Sequence, residues 1–416
     1  MRRSLAGLLV LLVAATAALL PAGAASAHAE LLGTSPPPGA VVQQVHEVVL
    51  RFDEPVTVTA DGIEVTDPSG RRADSGHARA VAATARVAVH PGVTGTYAVA
   101  WRVVSDDGHP EAGSFAFSLG HPSSHVPAVS RAGSASLGAS YALVRWVGYA
   151  GFCALAGGIV FVLLCWPAAA GLRRTRLVTG IGGLVAWLGT WTALFVQGAY
   201  DDGTWSHLLR PDTVLATLSS RTGAALMGRL VLLVGLGGVL ALVLRWAPLL
   251  RAAFRRRLLG TGLVVVLLSA ATWSSSGHES VGPQWPLAIL SDAVHLTGVA
   301  LWVGGLVLVL ALRPPLFAVA AFSRMALPCV VAVAVTGVYQ AQRNLAAWAA
   351  LVDSDYGLLV LAKVAGLLLL AGLGHLARRR LAGSSAVRLG ALVTVEVVVA
   401  AAVLGVASVL VQTPPR

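Results

Sequence analysis

The first residue with distinctive chemistry is His28, which follows a stretch typical of a secretory signal peptide. Two arginines precede an apolar run over residues 5–20, and small residues occupy the −3 and −1 positions, ending at Ala27. We expect a signal peptide over residues 1–27 and cleavage after Ala27, which makes His28 the first residue of the mature chain. Its free α-amine and its imidazole Nδ1 can then chelate one metal ion, which an uncleaved chain is unable to do.

A second set of candidate ligands lies in the segment Ser105-Asp106-Asp107-Gly108-His109-Pro110. The Asp107 carboxylate and the His109 imidazole are two residues apart in a predicted tight turn, so both can point at one ion. Together with His28 they supply three nitrogens and one oxygen, a set that suits tetragonal Cu(II) better than zinc or a hard cation. By itself an Asp-x-His triplet is more often an ordinary polar turn, and the processed histidine favours the metal site.

Two regions of contrasting composition must position these residues. Of the 416 residues, 56% are hydrophobic and 12% are charged, which is too apolar for a soluble protein of this length. Residues 28–120, by contrast, contain five or more short strand-like runs separated by Pro, Gly and Asp turns, and these predict a small β-sandwich or barrel. Residues 121–140 are rich in Ser, Ala, Gly and Pro, which predicts a flexible linker.

Residues 141–416 predict an all-α integral membrane domain with eight transmembrane helices. The predicted spans are 141–167, 177–198, 222–245, 258–275, 286–312, 325–342, 357–377 and 389–411. Most of the arginines between spans fall in alternate loops, and the positive-inside rule then puts the front domain and the C-terminus on the extracytoplasmic side of the plasma membrane. The net charge of +11 is therefore a topology signal, and we expect the lipid bilayer, not nucleic acid, as a partner.

Polar residues inside the predicted spans are concentrated in one place. His278 follows the fourth span, and Asp292 and His295 lie three residues apart on one face of the fifth helix. Polar groups at membrane depth are costly and usually face a cavity or the bundle interior. His295 is predicted on the order of 15 Å below the outer surface. These residues predict a path of ligands leading inward, and the alternative is a buried His–Asp pair that fixes helix packing.

The front domain resembles the CopC family of periplasmic copper-binding proteins. The resemblance is carried by His28, by Arg51-Phe52-Asp53-Glu54-Pro55 and by the segments 101–110 and 113–117. It implies an immunoglobulin-like Greek-key β-sandwich in which His28, Asp107 and His109 bind Cu(II), with Glu54 close to the metal as an outer or occasional ligand. The domain contains no methionine, so we do not expect the thioether Cu(I) site that some family members carry.

The membrane part resembles the CopD family of inner-membrane copper proteins. The pattern is Gly277-His278-Glu279, then Asp292 to Leu296, then Trp302 with Gly304-Gly305-Leu306, and Thr336-Gly337 and the segment 356–363 add to it. The resemblance makes His278 and His295 candidate copper ligands. A CopC-like domain fused to a CopD-like domain resembles the YcnJ-type copper-uptake proteins.

The leading prediction is a membrane protein that captures Cu(II) outside the cytoplasm and passes copper inward, contributing to copper homeostasis and resistance. It is not expected to be an enzyme, and its partners are copper ions, the bilayer and other extracytoplasmic copper carriers. The sequence has no P-loop, so transport must be facilitated, ion-coupled or redox-coupled. Three alternatives stay open: a haem-binding membrane oxidoreductase that reduces copper, an oxidative enzyme at the N-terminal histidine, and copper sequestration or sensing without transport.

Overall fold

The computed structural model has a β-sandwich followed by a bundle of long apolar helices, and it confirms the predicted fold class. It describes residues 29–59, 61–106, 108–124, 127, 129, 133–281, 284–345, 348–381 and 386–413. The predicted signal peptide and two of the predicted ligands, His28 and Asp107, lie outside the described residues.

The described part of the β-sandwich contains two sheets. One has the strand order β1-β3-β7-β6 and the other has the order β2-β9-β8-β4, with β5 also paired to β8. The strands are β1 Leu31–Ser35, β2 Val41–Val42, β3 Glu47–Phe52, β4 Val56–Thr57, β5 Ile63–Thr66, β6 Arg79–Val81, β7 Thr84–Ala88, β8 Gly95–Ser105 and β9 Pro110–Leu119.

Alternation along the strands fills the space between the sheets. In β3 the buried side chains are Val48, Leu50 and Phe52, as the period of two requires. Phe52 meets Trp101 of β8 edge-on, with ring centroids 5.5 Å apart. Strand β8 is buried on both faces. One face packs inside the sandwich, and the other faces the helical bundle, which it contacts through Arg102.

The helical part forms one bundle. Its α-helices are α1 Ala135–Val160, α2 Arg173–Asp202, α3 Pro211–Ser219, α4 Arg221–Trp246, α5 Ala252–Ser274, α6 Trp285–Leu312, α7 Leu316–Asn344, α8 Ala350–Asp353, α9 Asp355–Leu381 and α10 Ala386–Leu410. Helix α1 continues through a π-helical turn, Phe161–Cys165. All except the short α3 and α8 are long and apolar enough to cross a membrane, which gives eight candidate spans as predicted.

Three of the predicted spans begin six or more residues earlier in the structure, at Ala135, Ala252 and Leu316. Helix α1 begins at Ala135, inside the predicted linker 121–140, because Leu137 and Tyr141 are buried in the bundle and tertiary packing overrides the weak helix preference of Ser and Gly there. The sixth span begins at Leu316 and not at 325, so the helix runs past Arg324 and through Pro328. A proline interrupts only part of the helical hydrogen bonding, and a helix packed against neighbours tolerates that loss.

Helix α6 is the centre of the bundle and contacts α1, α5, α7 and α10. Small residues allow its close approach to α1: a Cβ on Gly304 would lie 1.8 Å from the carbonyl oxygen of Cys153. Helix α9 packs mainly on α10 and touches α7 only slightly. A cavity therefore separates α9 from α6 and α7.

Candidate functional site

The predicted copper loop is the tip of a long hairpin. Strands β8 and β9 pair from Gly95–Leu119 to Val104–Pro110, and only four residues connect them. The backbone N–H and the hydroxyl of Ser105 both donate to the carbonyl oxygen of His109 at 2.9 Å. Gly108 has a φ of +86°, a backbone conformation that favours glycine. The bonds from Ser105 to His109 close the end of the hairpin.

The start of the described chain is fixed to the bend after β3. The backbone N–H of Glu30 donates to the Asp53 carboxylate at 2.6 Å, which fixes the segment that follows His28 to the end of β3. Two residues beyond Glu54, Val56 of β4 pairs with Ser105 of β8. The half-buried Glu54 thus lies in the bend that leads into β4, the strand paired with the end of β8 just before the loop that carries the buried His109.

The predicted Cu(II) site is only partly described. His28 and Asp107 lie outside the described residues, so the structure places only His109 and Glu54 of the predicted set. Within the described ranges no three or more His, Cys, Asp or Glu side chains are grouped closely enough to hold a metal ion. The four-residue ligand set stays a prediction.

The hairpin loop touches the helical bundle directly. His109 Nε2 lies 2.6 Å from the carbonyl oxygen of Val411, just after α10. A carbonyl oxygen only accepts hydrogen bonds, so this nitrogen carries a proton in the contact. A Cβ on Gly108 would lie 3.1 Å from the Thr222 hydroxyl of α4. Copper binding through His109 Nε2 would require the Val411 contact to break.

Arg102 attaches the sandwich to the end of α2. Its guanidinium donates to the carbonyl oxygens of Asp201 at 2.6 Å and Tyr200 at 2.7 Å, where the helix leaves carbonyls without intrahelical partners. Gly203, with a φ of +79°, ends the helix and leaves room for this side chain. Burial lowers the pKa of Arg102, and the nearby Asp201 carboxylate opposes that effect.

Beneath the loop the bundle encloses a cavity of about 560 Å³. Its lining comes from α1, α5, α6, α7, α9 and α10, and it includes Val411, the residue in contact with His109. Polar lining residues include Arg145, Glu279, Asp292, His295, Gln340, Asn344, Tyr356 and Lys363. The deeper wall is apolar and includes Trp302, Val303, Leu367 and Leu370.

Asp292 and His295 both line this cavity, on one face of α6, as the sequence predicted. The Asp292 carboxylate accepts hydrogen bonds from the Ser274 hydroxyl at 2.7 Å and from the Gln340 amide at 3.2 Å. His295 Nδ1 is 2.9 Å from the Thr336 hydroxyl of α7. The two side chains thus have separate polar partners and share the cavity.

The structure describes less of His278, the third residue of the predicted path. His278 opens a short 3₁₀ turn, His278–Ser280, and its side chain is outside the described atoms. The neighbouring Glu279 lines the cavity and approaches the Asn344 amide at 3.5 Å. Burial raises the pKa of Glu279 to about 7, and the Asp292 carboxylate adds to the rise. His375, near the end of α9, is exposed and is not part of the cavity lining.

Sequence reasoning missed several cavity residues. Gln340 and Asn344 contact Asp292 and Glu279, yet neither was singled out. A signal was present, because Thr336, Gln340 and Asn344 recur every four residues in the last turns of an apolar helix and so share one face. Arg145 of α1 was missed as well, and its guanidinium lies between the rings of Tyr141 and Tyr149.

Two family models match the chain. The model described as "CopC domain" matches residues 31–120, and the one described as "Copper resistance protein D" matches residues 317–410. The first covers the whole described β-sandwich. The second covers α7 to α10, so His278, Asp292 and His295 precede the matched range.

Two curated relatives are similar in sequence. "Copper transport protein CutJ" of Bacillus subtilis (strain 168) is 26% identical over 302 residues, which are 67% of this chain and 52% of that protein. The chain thus spans about half the length of that relative. "Copper resistance protein C" of Xanthomonas campestris pv. juglandis is 32% identical over 119 residues, which are 26% of this chain and 91% of that protein.

Two solved structures also match. The crystal structure of CopC from Methylosinus trichosporium OB3b is 25% identical, covers 24% of this chain and 98% of its own, and has a TM-score of 0.21. That of PcoC, a methionine-rich copper resistance protein from Escherichia coli, is 27% identical, covers 22% of this chain and 98% of its own, and has a TM-score of 0.19.

Proposed function

Because the chain belongs to the copper-resistance family that joins a CopC domain and a CopD domain in one polypeptide, we propose that it carries copper across a membrane. In this proposal the sandwich captures Cu(II) on the extracytoplasmic side through His28, Asp107 and His109, with Glu54 beside the metal. The ion then passes into the bundle cavity and on towards the cytoplasm. The proposal requires no catalytic step from this chain.

One observation carries the proposal: the loop that bears His109 lies directly on the wall of the cavity that contains His295. His109 Nε2 is 2.6 Å from the carbonyl oxygen of Val411, and Val411 lines the cavity. This contact supports a short route from the loop to the cavity. In the proposal, capture by the sandwich and passage through the bundle are therefore steps of one chain.

The polar half of the cavity offers ligands for a cation. The carboxyl groups of Glu279 and Asp292 lie on the wall nearest the sandwich, and the same cavity includes two basic side chains, Arg145 and Lys363, that offset their charge. His295 supplies an imidazole, a common ligand for copper. His295 is ten residues into α6, which is about 15 Å from the start of that helix. The deeper wall is apolar, so a stripped ion would be held most favourably near His295. A capture domain on the extracytoplasmic side favours uptake as the direction.

The experiment follows cell copper in a strain that expresses the full chain. Wild type is compared with His28→Ala, His109→Ala and His295→Ala, and with His77→Ala, an exposed histidine of the sandwich, as the matched control. Cleavage after Ala27 is checked by the mass of the mature N-terminus, and expression is checked by immunoblot. We expect wild type and His77→Ala to raise cell copper several-fold, and the other three variants to abolish most of that rise.

Other results would contradict particular parts of the proposal. A fall in cell copper with wild type would mean export or sequestration. Unchanged copper in every strain, with Cu(II) still bound by the purified chain, would mean that the bundle does not carry copper. A Soret band in the absorbance spectrum of the purified protein would favour the haem-binding alternative.

A further inference from the structure

The ring of His295 has a hydrogen-bonding partner on the neighbouring helix, Thr336 of α7. We propose that Thr336 is a positioning residue that keeps the proton of His295 on Nδ1, so that Nε2 presents its lone pair to the cavity and binds copper there. This inference rests on the proposed copper-carrying function, and its first test needs no copper. Thr336 itself does not touch the ion.

The direction of the hydrogen bonds assigns the tautomer. The Thr336 hydroxyl is 2.6 Å from the carbonyl oxygen of Ala332, and a carbonyl oxygen only accepts. The single hydroxyl proton is therefore committed to that bond. Thr336 Oγ1 is also 2.9 Å from His295 Nδ1, and it can only accept there. His295 Nδ1 must donate, so a neutral imidazole has its lone pair on Nε2.

This arrangement is the one that prepares a histidine for a metal. Metal-binding histidines usually donate the proton of the non-coordinating nitrogen to a fixed acceptor, which sets the ring orientation. Here the acceptor lies on α7 and the ring lines the cavity between the helices. A Cβ on Gly337 would be in van der Waals contact with the ring, 3.6 Å from His295 Cε1, so the glycine leaves free space beside the imidazole.

The other polar groups of the same wall are already engaged. Both Asp292 oxygens already accept hydrogen bonds, from Ser274 and from Gln340, so this carboxylate is less ready than His295 to bind a metal ion. Lys363 lines the same cavity, and its charge attracts Asp292 and Glu279. His295 Nε2 is then the nitrogen donor best prepared to meet an ion in this half of the cavity.

The first experiment detects the tautomer directly. The full chain is labelled with ¹⁵N-histidine and studied in nanodiscs without metal, and His295→Ala identifies the signals of His295. We expect one lone-pair nitrogen and one protonated nitrogen in wild type and in Thr336→Ser, which keeps the hydroxyl. In Thr336→Val, which has nearly the same shape, the two tautomers should mix and the signals should average or double. Equal spectra for wild type and Thr336→Val would overturn the inference.

The second experiment measures copper affinity by competition with a chelator, with Cu(I) and Cu(II) tested separately. All samples carry His109→Ala, which weakens the sandwich site. Partners of metal-binding histidines typically contribute 10- to 100-fold in affinity, so we expect about tenfold weaker binding for Thr336→Val and near wild-type binding for Thr336→Ser. Thermal unfolding confirms that each variant is folded.

The two failures are distinguishable. If the spectra change as expected but Thr336→Val binds both copper ions as tightly as its parent, His295 Nε2 is not a copper ligand and the inference is overturned. If Thr336→Val and His295→Ala both weaken copper binding while cell copper does not respond to either, the inference stands and the proposed transport fails.

Discussion

The hairpin loop of the sandwich and the polar wall of the cavity hold their side chains in opposite ways. Within the loop itself, the hydrogen bonds that close the turn are local: Ser105 bonds to His109, four residues away. In the cavity, His295 and Thr336 are 41 residues apart, and Asp292 and Gln340 are 48 apart. A local site is visible as a motif, and a site between helices exists only once the helices have packed. Substitutions in the sandwich and in the bundle should therefore have different effects on stability.

The sandwich is joined to the helical bundle by one strong contact and one weak contact. Arg102 is buried and makes two short hydrogen bonds to the end of α2. The pair Arg221–Asp106, at 3.5 Å, is exposed to solvent, and exposed pairs contribute about 0–1 kcal/mol. Attachment of the sandwich should depend mainly on Arg102.

The largest effect is expected where α6 meets α1. Gly304→Ala puts a Cβ where the carbonyl oxygen of Cys153 would be 1.8 Å away, and Gly157 lies against the same turn. Backbone atoms give way only if the helices separate, so we expect a loss of about 3 kcal/mol or more in the stability of the bundle. Thermal unfolding of the purified chain in detergent measures the loss.

A glycine in open surroundings provides the control. A Cβ on Gly238 of α4 would have no neighbouring atom within 4 Å, so Gly238→Ala should leave the unfolding temperature unchanged or raise it slightly. In both variants hydrogen exchange in the β-sandwich should match wild type. Equal stability of Gly304→Ala and Gly238→Ala would contradict the close α1–α6 packing.

The next effect is expected at the attachment of the sandwich. Arg102→Met keeps the apolar stem but removes both hydrogen bonds to Tyr200 and Asp201. A hydrogen bond made by a charged group contributes about 1.5–3 kcal/mol, so loss of two should lower the docked fraction at least about a hundredfold relative to the undocked fraction. Cross-linking between Asp106→Cys and Arg221→Cys with a short bis-maleimide measures docking, because the three native cysteines are buried.

Arg79→Met, which removes an exposed arginine of β6, is the matched control and should cross-link like its parent. The unfolding temperature should be the same in all three proteins. If Arg102→Met cross-links as efficiently as its parent, contacts other than those of Arg102 attach the sandwich to the bundle.

Much of this architecture follows from local patterns in the sequence. The alternation in β3 and the long apolar runs were sufficient for a β-sandwich and eight spans, and the segment around His109 was sufficient for a candidate metal loop. The edge strands β1, β2, β4 and β6 were missed because they have only two to five residues and no clear alternation. The start of α7 was missed because Arg324 and Pro328 interrupt the apolar run, although packing holds the helix together there.

The cavity was beyond the reach of such patterns. His295 and Asp292 were identified because two polar residues on one helix face are visible in the sequence, but their partners lie on other helices. Nothing in the chain order indicates that Ser274 would meet Asp292 or that Thr336 would meet His295. The contact between His109 and Val411 joins residues 302 positions apart, and only the assembled fold provides it.

The smallest effect is expected at Asp67, a buried carboxylate in the turn after β5. It accepts hydrogen bonds from the Ser69 hydroxyl at 2.6 Å and from the backbone N–H groups of Ser69 and Arg71. Burial alone would raise its pKa, but these bonds, led by the Ser69 hydroxyl, lower the pKa below the ordinary 3.8. The ionised form therefore stabilises the sandwich, which should make Asp67→Asn about 1 kcal/mol less stable at neutral pH.

The pH dependence gives this last prediction its sign. Because the folded-state pKa of Asp67 is lowered, its contribution is fully present above 3.8 and disappears as the pH falls through the folded-state value. Wild type and Asp67→Asn should then converge in acid, as measured by hydrogen exchange of peptides from residues 63–74 in the full chain. The exposed Glu47→Gln should match wild type at neutral pH. A difference between wild type and Asp67→Asn that persists unchanged in acid would mean that shape, and not charge, makes Asp67 stabilising. Exchange in the bundle should not respond in either case, because Asp67 belongs to the region whose contacts are local.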